Sequence, residues 1–258
     1  MWPLKKKKDK TIPLPARVIP ETILCIPGTW KDWNEFILEV VKATDGQYIA
    51  AGNILFHVAA NKHYIVEFCD TDERMHKSFE FAGMTTRIAK ETLDKIATHK
   101  SVIYLRAPTG NLEDAHQIAL AANVILKAGG HGVKVETAGK AFDKITWSTA
   151  MEEEQPSLYD LFVIDSIADK NGTVFSCGMQ NLGYKDTIVT GEPFEEAVKL
   201  IRIFSFYQIV DKPQIDNGQT FSTSVESPWF QITDEINYPY KDNPTFCNPY
   251  GMWRLTRI

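Results

Sequence analysis

Between residues 21 and 107, two amphipathic helical patterns alternate with short apolar runs bounded by turn residues. That order limits the folds open to the chain. The run ETILCIPG, residues 21–28, reads as a buried strand ended by Pro27-Gly28. TWKDWNEFILEVVKAT follows as a helix. Its Trp33, Phe36, Ile37, Val40 and Val41 recur at helical spacing, with Thr29 as the cap and Asp32 three residues on. QYIAAGNILFHVA and HYIVEFCD read as two strands joined by the turn ANK. MTTRIAKETLDKIATHK reads as a second helix burying Ile88, Ala89, Leu93 and Ile96, and SVIYLRAP as another strand. Strand, helix, strand, strand, helix, strand is the βαββαβ order of a ferredoxin-like split βαβ unit. We therefore expect an α+β protein whose antiparallel or mixed sheet carries helices on one face.

The second half is less regular. NLEDAHQIALAANVILKAGG reads as a helix capped by Asn111 and stopped at Gly129, and GVKVETA as a strand. AFDKITWSTAMEEEQPSLYD reads as a surface connection, partly helical. LFVIDSIADKNGTVFSCGM reads as a hairpin with Asn171-Gly172 at its tip. GEPFEEAVKLIRIFSFYQIV is the longest helix, with Pro193, Glu195 and Glu196 in its first turn, and QTFSTSVESPWFQIT and GMWRLTRI are closing strands. The expected organisation is a basic, proline-rich tail over residues 1–20, a ferredoxin-like lobe over 21–107, and a related α+β lobe over 108–258 packed on the first.

Charge bears on function. The 258 residues sum to −5, and residues 1–10 hold five lysines and one aspartate, or +4, which leaves −9 on the rest. An acidic body argues against nucleic-acid binding, which needs a basic face for phosphates, and suits a basic protein partner. No apolar run approaches the ~20 residues of a membrane span, and the prolines of TIPLPARVIP follow the basic start where a signal peptide needs an apolar stretch. The expectation is a cytoplasmic protein. Cys25, Cys69, Cys177 and Cys247 are widely spaced, with no C-x-x-C pair, so neither a disulfide framework nor a zinc site is expected.

The stretch AGGHGVKVETAGKAF, residues 128–142, invites a phosphate-loop reading and fails both templates. Counting back from Gly139-Lys140, a Walker loop needs glycine at 134 and Ser or Thr at 141, where Lys134 and Ala141 stand. The dinucleotide pattern needs glycine at 135, which is valine. The glycines also follow a helix and precede a strand, the reverse of a phosphate loop. The plain reading is a helix stop and tight turn, with His131 near a helix C-terminus. No cofactor and no metal site is expected.

Other candidates are weighed against blander alternatives. Cys177 sits beside a glycine at a strand end, as a nucleophile or as a buried thiol. His116 has Glu113 and Asp114 close by but lacks zinc-site spacing. Lys134 and Glu136 share one face of a strand, as a catalytic pair or an ordinary polar face. Glu152, Glu153, Glu154 and Asp160 form an acidic run, either solvated or a docking patch for a basic partner. Trp30, Trp33, Trp147, Trp229 and Trp253 supply the core or anchor an interface.

Several stretches resemble a bacterial family known as domain of unknown function 4261. They are AGGHGVKVETAGKAF, FSCGMQNLGYKDTIV, EEAVKLIRIFSFYQIV with GQTFS after it, NPYGMWRL, and ILCIPGTWKDWNEF near the start. The family brings no established reaction and no catalytic residues. By analogy of protein class, the resemblance implies an immunity partner of a secreted antibacterial toxin. The first expectation is thus a non-enzymatic binding protein, an immunity protein that neutralises a cognate toxin with a basic surface. The alternatives are a small hydrolase or transferase with a pocket near Cys177 or Lys134/Glu136, and an intracellular adaptor.

Overall fold

A computed structural model describes residues 19–153 and 157–258. The first eighteen residues of the expected tail, and Glu154 of the acidic run, therefore lie outside the described residues.

The described residues open with strand β1 (Glu21–Gly28), helix α1 (Trp33–Ala43), strands β2 (Tyr48–Ala51), β3 (Ile54–His57) and β4 (Lys62–Asp70), and helices α2 (Met75–Ala82) and α3 (Lys90–Ala97). It continues with β5 (Ser101–Pro108), α4 (Leu112–Lys127), β6 (Gly132–Val135) and β7 (Lys140–Asp143). These seven strands form one sheet in the order β2-β3-β4-β5-β1-β6-β7. Every neighbouring pair is antiparallel.

Local chemistry accounts for several departures from expectation. The α1 cap is Asp32, whose carboxylate accepts from the Glu35 amide, and not Thr29. The expected long strand breaks into β2 and β3 because Gly52 takes φ +58, a left-handed turn that glycine adopts readily. The expected second helix is shortened to α3, and α2 stands before it.

The α+β class holds, but the strand order is not that of the ferredoxin-like unit. There the first strand would lie beside the third and the last would take the edge. Here β5 inserts between β4 and β1 and pairs with β1 along eight residues, Glu21↔Pro108 to Gly28↔Ser101. A split βαβ is nonetheless present further along. Strands β5 and β6 flank β1, both antiparallel to it, and α4 connects them. Strands β6 and β7 thus belong to the first sheet although they follow residue 107.

Period-two alternation sorts this sheet into two faces. Leu24, Ile26, Val66, Ile103, Leu105, Val133 and Val135 pack with Phe36 and Val40 of α1 and with Ile118, Ala122 and Ile125 of α4. The opposite face sends Cys25, Val102 and Ala141 under Met75 and Phe79 of α2 and Ile96 of α3. Helices therefore cover both faces, where one was expected. The short helices α2 and α3 cover only part of theirs.

Helices α5 (Lys144–Glu152) and α6 (Leu158–Phe162) lead into β8 (Ile164–Ala168), β9 (Val174–Cys177) and a 3-10 turn at Met179–Leu182. Strand β10 (Asp186–Val189), helix α7 (Phe194–Val210) and strands β11 (Thr220–Phe221), β12 (Phe230–Glu235) and β13 (Met252–Arg257) complete the chain. The second sheet has the order β11-β12-β13-β10-β9-β8, mixed because β10 and β13 run parallel. Ala197, Leu200, Ile201 and Phe204 of α7 pack on it. The β8–β9 hairpin turns at Gly172 as expected, with φ +78.

The stretch expected as a surface connection is instead anchored in the core. Trp147 of α5 and Phe162 of α6 are fully buried, and the Trp147 indole donates to the Ala119 carbonyl at 3.2 Å.

A buried polar knot joins the sheets. The Asn181 side-chain oxygen accepts from the Thr22 hydroxyl of β1 at 2.7 Å and the Thr137 hydroxyl at 2.8 Å. Beside it, Asp186 accepts from Ser176 at 2.9 Å and from the Asn248 amide at 2.8 Å.

Candidate functional site

The part of the first sheet that α2 and α3 leave uncovered forms the floor of a cavity of about 600 Å³. Strand β4 contributes Glu67, β5 contributes Tyr104 and Arg106, β1 contributes Ile23, and Lys134 and Glu136 come from β6 and its end. These residues share a face because their registers align: Glu67 opposes Tyr104, Tyr104 opposes Cys25, and Cys25 opposes Lys134. One wall is α2 with the turn before it, through Asp72, Arg74 and Ser78, and Thr245 closes the other side. A second cavity of about 540 Å³ shares Ile23, Arg106 and Thr245 and extends the groove toward Thr137, Gln180 and Cys247.

Most charges in this groove come in pairs. Lys134 lies 2.8 Å from Glu136 and donates to the Ser78 hydroxyl at 2.7 Å. Arg106 contacts Glu21 at 2.6 Å, and Arg74 contacts Asp72 at 2.9 Å. Hydrogen bonds from Arg74 lower the Asp72 carboxyl to about 2. Beneath the floor, burial pushes the Cys25 thiol up, with the Glu136 charge adding to the effect. Burial also raises the Tyr104 phenol. Both groups keep their protons at neutral pH. The arrangement can accept an extended polar ligand, with donors and acceptors on β4, β5 and β6 and the apolar Ile23 of β1 between them.

Cys177 is buried, with its sulfur 3.8 Å from the Thr137 carbonyl oxygen. Burial, then the Asp186 carboxylate, pushes its thiol well up. It is a protonated thiol in the core, away from any thiolate chemistry. Glu113 accepts from Gln117 one turn on, at 3.0 Å. Among the described residues, no three His, Cys, Asp or Glu side chains gather as a metal cluster would.

The acidic run divides. Glu152 and Glu153 stand exposed at the C-terminal end of α5, and neither forms an ion pair among the described residues. Two carboxylates there oppose the helix dipole, whose negative pole is at that end. Asp160 has a different setting. It pairs with Arg202 of α7 at 2.6 Å, and the Ser157 hydroxyl donates to it at 2.6 Å. Lys140 donates to the Asp160 and Val163 carbonyls at 2.6 and 2.9 Å, which satisfies the end of α6. Of the tryptophans, Trp30, Trp147 and Trp253 are core, while Trp229 is half exposed.

Lys134 and Glu136 do lie in the groove over the first sheet. Glu67, Tyr104, Arg106 and Arg74 escaped the reading of the sequence. Glu67 in HYIVEFCD and Arg106 in SVIYLRAP interrupt otherwise apolar strands, a signal for a polar patch on one sheet face. Among the described residues, no helix is long and apolar enough to cross a membrane. Comparison with protein-family models, curated proteins and solved structures returned no match.

Proposed function

We propose that this is a binding protein of the immunity type, which neutralises a cognate secreted toxin by covering a basic surface on it. The reading takes up the resemblance to family 4261 as part of the proposal. The observation that carries it is the exposed pair Glu152 and Glu153, unpaired and set against the dipole of α5. Charges placed where they cost the fold are explained by a partner's cations better than by stability. The acidic body adds long-range attraction to such a partner.

The test begins with a toxin captured by co-purification from the native cell. Replacing both residues (Glu152→Lys with Glu153→Lys) is expected to leave stability unchanged or up to about 1 kcal/mol higher, since cations suit that helix end. Association with the toxin should slow and lose salt dependence. An unchanged on-rate and salt slope, read by stopped-flow mixing, would remove the electrostatic mechanism at this site.

A second reading, ligand binding or chemistry in the groove, is favoured by the position of Lys134 and Glu136 there. It predicts that Lys134→Met abolishes binding of a small polar ligand while leaving toxin capture intact. Loss of toxin capture instead would assign the groove to the protein interface.

A further inference from the structure

The turn Gly129–Gly130 borders a cleft of about 360 Å³ lined by residues of α3, the turn after α4 and the start of α5. Two lysines and a histidine from three segments line it: Lys95 of α3, His131 after α4, and Lys144 at the first residue of α5. Among the described residues, none of the three forms an ion pair. Next to Lys144 in sequence, the Asp143 carboxylate is engaged as the α5 cap, accepting from the Thr146 amide at 2.7 Å. The ammonium groups of Lys95 and Lys144 share one cleft of an acidic body and repel each other. Burial, then the charges of Lys95, Lys144 and His99, holds the His131 imidazole below its ordinary value. Burial and Lys95 lower the Lys144 ammonium. Lys144 also stands at the positive pole of α5, a cost that a bound anion would remove.

We propose that this cleft binds a tetrahedral oxyanion of the phosphate class through Lys95, His131 and Lys144. Thr29 and Thr92 line the same cleft and bring hydroxyl groups to it. The cleft exceeds one phosphate, so a phosphomonoester fits, with the exposed Ile145 side chain at its rim. Side chains do the binding, because the glycine-turn amides are already used. Gly129 donates to Leu126, Gly130 to Ile125 and His131 to Pro27. That is why no phosphate-loop pattern appears in AGGHG although an anion site stands beside it. This inference is independent of the proposed toxin-binding surface.

The test uses the full chain with inorganic phosphate, glycerol phosphate, and chloride at matched ionic strength. Calorimetry and the His131 ring resonances report binding. Phosphate and its ester are expected to bind saturably and to raise the His131 titration midpoint, while chloride does neither. The exposed pair Lys95→Gln with Lys144→Gln should weaken phosphate binding about tenfold or more. His131→Asn, a single change, should weaken it several-fold and serves if the double variant folds poorly. Tighter binding of the ester identifies a phosphorylated small molecule as the ligand, and equal affinity identifies the free anion. A chloride response equal to that of phosphate, or unchanged binding by a folded variant, would overturn the proposal.

Discussion

Removing residues 251–258 is expected to leave the protein molten or insoluble. β13 is an interior strand of the second sheet. It pairs in parallel with β10 through Asp186↔Met252 to Val189↔Leu255, and antiparallel with β12 along six residues. Met252, Trp253 and Leu255 are buried, and losing one large buried side chain costs about 3–5 kcal/mol. Deleting the strand also bares two ladders of backbone donors and acceptors, against a whole-domain stability of ~5–15 kcal/mol. The point variant Leu255→Ala should destabilise the fold by about 2–5 kcal/mol, read as a lower urea midpoint at unchanged m value. A truncated chain that stays soluble and unfolds cooperatively would show that the second sheet closes without β13.

Substituting Asp186 by Ala is expected to destabilise the fold by about 2–4 kcal/mol, because its partners are buried and have no water to turn to. The Ser176 hydroxyl, the Asn248 amide and the Met179 N–H all donate to this carboxylate. Its pH dependence has a definite sign. Burial raises the Asp186 carboxyl from 3.8 to about 6, against the hydrogen bonds of Asn248 and Ser176 that pull it down. Between those values the folded protein holds the proton more tightly than the unfolded chain does. Its contribution is therefore present at low pH and is lost as pH rises through about 4 to 6, by ~3 kcal/mol at most. Other carboxylates act oppositely. Asp72, lowered to about 2, contributes stability above its unfolded value that is lost as pH falls toward 2. The measurement is thus a difference between two chemical-denaturation profiles. Asp186→Asn should lack the fall from pH 4 to 6 that the parent shows. Parallel profiles would mean that Asp186 titrates alike in both states.

Elements with strong local signals were legible. The Asn111 cap, the α4 helix and its glycine stop, the Asn171-Gly172 hairpin and the strand SVIYLRAP all stand where their residues indicate. Each is decided by contacts within a few residues. The short helix α2, MHKSFEFA, was not legible. Its Met75, Phe79 and Ala82 face Cys25 and Val102, which lie far away in sequence. The site was half legible for the same reason. Lys134 and Glu136 stood out as a pair on one strand, but their neighbours Glu67, Tyr104 and Arg106 come from strands whose adjacency is a matter of topology.

By itself the sequence determined the α+β class, most strand and helix identities, and the failure of AGGHG as a phosphate loop. Backbone preferences, capping and side-chain periodicity act locally, so they can be read along the chain. Only the tertiary structure decided the strand order. Both the insertion of β5 beside β1 and the ferredoxin-like alternative satisfy the same alternation, and long-range packing chooses between them. The tertiary structure also separated Asp160, bound to Arg202, from the exposed Glu152 and Glu153. It brought Lys95, His131 and Lys144 into one cleft across 49 residues of chain, because charge becomes a site only when folding sets the distances between cations.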